Sequence, residues 1–176
     1  IGYKPLTPEA EEAIKGALYI VTSPRLEEVF RGYRQYETAK GNIRIMESID
    51  ETLEFLKAHV ADPLVLLASG DSLFHGIGRR VINTCGQDSV IIYPELSSIQ
   101  VAFSRIKVPW DDALLISLHG GLLKGKHNSY VTEDLPNLLK LHHKIAILTD
   151  SKNNPQAIAG VLKECPLRDE TVSYTH

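Results

Sequence analysis

Leu64-Val65-Leu66-Leu67-Ala68 is an unbroken apolar run, opened by Pro63 and closed by Ser69-Gly70. A run this short, rich in branched side chains and bracketed by breakers, reads as a strand. Its lack of polar alternation marks a strand covered on both faces, as in a parallel sheet flanked by helices. The rest of the chain repeats the theme of short β-rich runs separated by amphipathic helical stretches. Thr7-Pro8-Glu9 reads as an N-cap, a proline at the first helical position and an acid beside the positive helix end. The helix it opens runs to Lys15 and stops at Gly16. Strands are expected at Leu18–Thr22, Ile43–Met46, Leu64–Ala68, Ser89–Tyr93, Ala113–Leu118 and Lys144–Thr149, with a further one begun at Thr171–Tyr174. Helices follow Ser23-Pro24, Ser48 (a capping box with Glu51), Gly76, Ser98, Asp134 and Asn154. The fold class is therefore α/β with mostly parallel pairing. A pause at Pro109-Trp110-Asp111-Asp112 divides the chain into domains at 1–108 and 109–176.

Composition removes several function classes. The 176 residues carry 19 basic and 22 acidic side chains, a net charge of −3, which disfavours a dedicated nucleic-acid binder. No apolar run approaches the roughly 20 residues of a membrane span. Cys85 and Cys165 form neither a disulfide framework nor a metal-ligand spacing, a usage that suits a reducing cytoplasm. No His/Cys/Asp/Glu set has zinc spacing, so no metal is expected, and no Walker loop is present.

Three loops have the makeup of a ligand site, because open α/β sheets bind ligands beyond the carboxyl ends of their strands. Gly70–Gly76 follows the most apolar strand. Its glycines permit close backbone approach, and Asp71 adds a carboxylate able to take hydroxyls or an ammonium. The plain alternative is a strand-to-helix turn with Asp71 as N-cap. Pro94–Gln100 brings Ser97 and Ser98 to a helix start, where a serine pair either caps the helix or binds a ligand. Leu118-His119-Gly120-Gly121, with Lys124, Lys126 and His127 close behind, is either a receptor for an acidic ligand or a solvated basic loop.

Gly70-Asp71-Ser72-Leu73 also spells the GDSL string of serine esterases. A serine nucleophile needs a base oriented by a third group, which that family supplies as Asp-x-x-His, and no Asp here has His three residues later. A different family accounts for more of the chain. Leu66–Arg80 resembles the Gly-Asp-Pro block of the tetrapyrrole methylases, and Pro94–Gln100 resembles their Pro-Gly-x-Ser/Thr-Ser/Ala turn. Pro109-Trp110-Asp111-Asp112-Ala113 leading to Ser117-Leu118-His119-Gly120 is similar to the branch that methylates carbon 5 of precorrin-7 in cobalamin biosynthesis. Ile147-Leu148-Thr149-Asp150 matches a later strand-end motif. Ile1-Gly2 is similar to the tail of the opening Gly-x-Gly loop, so the family's first strand is expected ahead of this chain's start. Ser72 stands where the family has Pro, His75 where it has Tyr or Phe, and Gly121 where an Arg follows His-Gly.

The resemblance implies a two-domain methylase fold, each domain a mostly parallel or mixed sheet flanked by helices, with the ligand cleft between them. It implies S-adenosylmethionine held by Gly2, Gly70, Asp71, Phe74, Ser97, Ser98 and Thr149. It also implies a corrinoid tetrapyrrole whose carboxylates meet Arg79, Lys124 and Lys126, with His119 as the catalytic group. A cytoplasmic homodimer, with no nucleic-acid or membrane partner, follows from the same likeness. The companion methylation and decarboxylation at carbon 15 then belong to a separate protein. The remaining alternatives are a GDSL-type esterase and a catalytically degenerate, cofactor-binding relative of the methylases.

Overall fold

The computed structural model describes residues 5–118 and 130–163. The chain separates into two compact units, Ile1–Ser97 and Ser98–His176. This division falls ahead of the Pro109–Asp112 segment. Lys144 draws that segment into the second unit, donating to Pro109 O at 2.6 Å and to Asp112 Oδ1 at 2.5 Å.

In the first unit, β1 (Tyr19–Thr22), β2 (Ile43–Ile45) and β3 (Leu64–Leu66) form a parallel sheet in the order β2-β1-β3. The register aligns Ile20 with Ile43 on one side and with Val65 on the other. Strand periodicity then sorts the core, because successive side chains leave opposite faces. Ile20 joins Ile14, Phe30, Ala39 and Leu67, drawn from α1 (Pro8–Gly16), α2 (Pro24–Phe30), α3 (Tyr36–Ala39) and the end of β3. Val21 points the other way, to Met46, Leu56 and Val81, where α4 (Ile49–Ala58) and α5 (Gly78–Cys85) cover the sheet. Helices therefore lie on both faces.

The strand buried on both faces is β1, with Ile20 and Val21 fully inaccessible, whereas β3 is only partly buried. The expectation that Leu64–Ala68 is a strand covered on both faces thus needs correcting. β3 has one paired neighbour, and among the described residues its other edge carries none. For the same reason Ser89–Tyr93 forms no strand. Val90 is extended (φ −124°, ψ 125°), but among the described residues the segment has no strand partner, and Ile91 is 77% exposed. A groove of about 530 Å³ separates the two stretches, lined by every residue from Leu64 to Ala68 and from Ser89 to Glu95.

Local caps follow the sequence reading. Thr7, Ser23, Ser48 and Asn154 accept from the amides of Ala10, Leu26, Glu51 and Ala157. The capping box at Ser48 differs in one bond, because the Glu51 carboxylate takes the amide of Glu47 rather than that of Ser48. The polar stretch after α2 is ordered by Glu27, whose buried carboxylate accepts from Arg31 Nε and from Tyr36 Oη at 2.8 Å. These two donors hold the Glu27 carboxyl below its ordinary range, the arginine contributing most.

In the second unit α6 (Ser98–Ile106) leads to β4 (Leu114–Ser117), which pairs in parallel with β5 (Ile145–Leu148), Ile116 opposite Ile147. Ile116, Leu118, Leu135 and Ile158 make its core, the last two from α7 (Leu135–Leu141) and α8 (Pro155–Lys163). The strand expected at Thr171–Tyr174 lies outside the described residues. Among the described residues no helix is long and apolar enough to cross a membrane.

Candidate active site

Parallel strands deliver their carboxyl ends to one side of a sheet, so the loops leaving those ends meet there. In the first unit the loop after β3 is shaped by its glycines. Gly70 has φ +60°, and a Cβ on it would stand 3.3 Å from Leu96 O and 3.7 Å from Ser97 Cα. The missing side chain therefore lets the β3 loop lie against the 94–97 turn, and it brings Gly70 and Ser97 together as the sequence suggested. Further on, a Cβ at Gly76 would meet Ser72 O at 2.5 Å, and one at Gly78 would meet it at 2.8 Å. The loop is wound about that carbonyl, which also accepts from Gly78 N at 2.9 Å. His75 is held at φ 55°, a costly conformation for a residue with a Cβ, and its ring meets Phe74 edge-on with centroids 4.8 Å apart.

Asp71 is not the helix cap that the plain reading would have made it. Its Oδ1 accepts from Leu73 N at 2.9 Å, closing a turn inside the loop, while α5 begins only at Gly78. Among the described residues Oδ2 has no hydrogen-bond partner, so this carboxylate is oriented by one oxygen and open at the other. Ser97 is buried (7% exposed), and Ser98, exposed, is the first residue of α6. Arg79 is exposed in the first turn of α5, where the helix dipole disfavours a cation. Its neighbour Arg80 is engaged with Asp50 at 2.6 Å.

In the second unit Thr149 is exposed directly after β5, as expected of a strand-end residue. Gly2, His119, Lys124 and Lys126 lie outside the described residues. Sequence reasoning missed two side chains at these strand ends. Arg25, in the first turn of α2, reaches Ser69 Oγ at 3.4 Å from the carboxyl end of the neighbouring strand. Asn153 donates to Leu118 O at 3.0 Å and accepts from Thr132 Oγ1 at 3.1 Å. The Ser-Pro-Arg turn after a strand was the available hint for the first; nothing local marks the second. Cys85 lines the groove beside β3, and burial pushes its thiol above the usual range. Among the described residues no cluster of His, Cys, Asp and Glu is arranged to hold a metal.

Parallel strands, with a glycine-shaped loop and an oriented carboxylate at a strand end of the first unit, define an α/β protein carrying a candidate ligand site. The family is narrower than that class: the chain matches the tetrapyrrole (corrin/porphyrin) methylases over residues 2–176 and belongs to them. It is 31% identical over 157 residues to the cobalt-precorrin-7 C(5)-methyltransferase of Salmonella typhimurium, covering 89% of this chain and 70% of that protein. The precorrin-6Y C(5,15)-methyltransferase [decarboxylating] of a Sinorhizobium species is 31% identical over 97 residues, 52% of this chain but only 24% of that protein. Among solved structures, the cobalamin biosynthesis precorrin-6Y methylase of Archaeoglobus fulgidus superposes with a TM-score of 0.63 at 26% identity. It does so over 90% of this chain and 75% of that one. The esterase alternative finds no support in these likenesses. Ser72 instead anchors the loop through its carbonyl.

Proposed function

We propose that this chain is an S-adenosylmethionine-dependent C-methyltransferase acting on carbon 5 of a corrin precursor, cobalt-precorrin-7 or precorrin-6Y, in cobalamin biosynthesis. The observation that carries the reading is the glycine-dependent contact between the Gly70 loop and Leu96-Ser97, found in a chain of this family and close in sequence to a carbon-5 enzyme.

The donor set fits the cofactor. Asp71 Oδ2 suits a ribose hydroxyl or an ammonium, and the hydroxyls of Ser97 and Ser98 with nearby amides suit a carboxylate. Phe74 offers an apolar wall, and Gly2 and Thr149 complete the set that the family resemblance implies. S-adenosylmethionine supplies, when bound, a methyl carbon made electrophilic by its sulfonium. The protein's own task is alignment and exclusion of water, since displacement at that carbon needs no enzyme nucleophile. Gly70, Gly76 and Gly78 serve that task by keeping the loop tightly wound on backbone atoms. Arg79, Lys124 and Lys126 neutralise substrate carboxylates, and His119 orients or titrates the macrocycle. Turnover at the wild-type rate by His119→Ala would remove that role.

The two-domain methylase arrangement belongs to the same proposal, as do a cytoplasmic location, a homodimer and a separate protein for carbon-15 chemistry. The test is calorimetry with S-adenosylmethionine and its demethylated product, followed by methyl transfer to cobalt-precorrin-7. Absence of binding to both would overturn the reading, and binding without transfer would make the chain a degenerate relative.

A further inference from the structure

Most guanidinium groups described in the first unit are engaged within the fold. Arg31 lies on Glu27, Arg34 on Glu11 and Arg80 on Asp50, and Arg44 stands over the Tyr19 ring at 5.5 Å. Arg25 and Arg79 have no carboxylate partner among the described residues, and of the two only Arg25 is tied to a strand-end loop. Its Nη2 donates to Ser69 Oγ at 3.4 Å, a long bond to a neutral hydroxyl. That contact steers the guanidinium without neutralising it and occupies one of five N–H donors. The base of the side chain is fixed, because Pro24 sets the backbone ahead of it and the two residues after it, Leu26 and Glu27, are buried. Arg25 itself is exposed, so its head is within reach of a ligand.

Its place in the sheet matters as much as its charge. Leu67 N donates to Val21 O at 2.9 Å, so β1 and β3 end side by side. Arg25 crosses from the end of β1 to that of β3 and meets Ser69, the residue before the left-handed Gly70. Asp71, two residues beyond Ser69, is fixed through Oδ1 and makes no ion pair with Arg25. Opposite charges this near in the chain are therefore both left for something else.

We propose that Arg25 is a substrate-binding residue whose guanidinium takes a peripheral carboxylate of the corrin precursor, with Ser69 holding it to the Gly70 loop. The inference rests on the methyltransferase reading given above. The cofactor has a single carboxylate, which that reading gives to Ser97 and Ser98, whereas the macrocycle carries several around its rim. A planar fork with free donors matches a carboxylate in two parallel bonds, which an ammonium cannot do.

The experiment compares wild type, Arg25→Ala, Arg25→Lys and Ser69→Ala in the full chain. Calorimetry titrates each with cobalt-precorrin-7 and, separately, with S-adenosylmethionine, and thermal melts follow stability. Arg25→Ala should weaken corrin binding at least tenfold, the loss of a charge-assisted hydrogen-bonded pair, with S-adenosylmethionine affinity within about twofold. Its melting temperature should stay within about 3 °C, as for an exposed side chain. Arg25→Lys keeps the charge without the fork and should recover part of the affinity. Ser69→Ala, which frees the guanidinium but leaves it present, should cost about twofold to threefold. Wild-type corrin affinity in Arg25→Ala overturns the proposal. So does an equal loss for S-adenosylmethionine, which would give the guanidinium to the cofactor. A wild type that binds cobalt-precorrin-7 without methylating it ends the methyltransferase reading, while the Arg25→Ala titration still decides the contact; a wild type that binds no corrin overturns both.

Discussion

Replacing Gly70 with alanine tests the geometry at the centre of the candidate site. The backbone there has φ +60°, where an L side chain costs about 1–2 kcal/mol. Alanine also narrows the unfolded ensemble, which returns about 0.4–1 kcal/mol. The new Cβ would sit 3.3 Å from Leu96 O, a separation that forces the 94–97 turn to give by a few tenths of an ångström. The net is a destabilisation of about 1 kcal/mol, or about 4–8 °C in melting temperature for a unit of this size. Gly86→Ala is the control for backbone strain. It has φ +87° and ψ 146°, a conformation still less open to an L side chain, with no atom within 4 Å of the built Cβ, so it carries at least as much strain without the contact. Gly16→Ala, at the end of α1 with open space and no such φ, should be neutral or stabilising by up to about 1 kcal/mol. Thermal melts read the three stabilities, and calorimetry reads S-adenosylmethionine. Gly70→Ala should lose at least tenfold in affinity while Gly86→Ala keeps it, a gap of about 1.4 kcal/mol. Wild-type affinity in Gly70→Ala would refute the assignment of this loop to the cofactor, and wild-type stability would refute its left-handed lock.

Ser72→Ala should leave methyl transfer within about twofold, since Ser72 acts through its carbonyl, whereas Asp71→Ala should weaken S-adenosylmethionine binding; loss of turnover in the first would revive a nucleophilic serine. Glu27 is held below its usual range by Arg31 and Tyr36, so its contribution is complete above its ordinary value of 4.5 and drains as pH falls through the depressed folded value. Melting temperature in Glu27→Gln should accordingly fall less between pH 6 and about 3 than in wild type, and an identical slope would dismiss the carboxylate. Phe30→Ala, emptying a fully buried site packed by Tyr33 and Tyr36, should cost about 3–5 kcal/mol by chemical denaturation, with a cost under about 1 kcal/mol counting against the packing described. In a Cys165→Ser background, Cys85 should alkylate more slowly at pH 8 than a free model thiol, because burial raises its thiol; equal rates would contradict that burial.

Much of the fold was legible because it rests on local chemistry. Thr7-Pro8, Ser23-Pro24, Ser48 and Asn154 each place a short oxygen-bearing side chain where a helix has unpaired amides, and each cap forms as written. Apolar runs likewise marked β1, β2, β3, β4 and β5. Pairing was not legible in the same way. Ser89–Tyr93 has a strand's composition and extended backbone at Val90, yet a strand exists only beside a partner, and none among the described residues lies along it. The same absence leaves β3 half-buried although it is the most apolar run in the chain.

The site divides along the same line. Gly70, Asp71 and Ser97 could be singled out as candidates because strand-end loops rich in glycine and short polar side chains are few in this sequence. What each does there depends on a distant neighbour. Gly70 suits glycine because its φ is +60° and Leu96 O would crowd a Cβ at 3.3 Å, and no pattern around position 70 announces residue 96. For Asp71 the sequence left a helix cap open beside the ligand reading, but α5 begins only at Gly78, so the carboxylate closes a turn within the loop instead. Asn153 lies still further from any local rule. Its partners, Leu118 and Thr132, are brought within reach only by the parallel pairing of β4 with β5. Local patterns thus mark a candidate strand-end loop in the first unit, while the carbonyls that shape it, Ser72 and Leu96, act only through contacts made by the folded backbone.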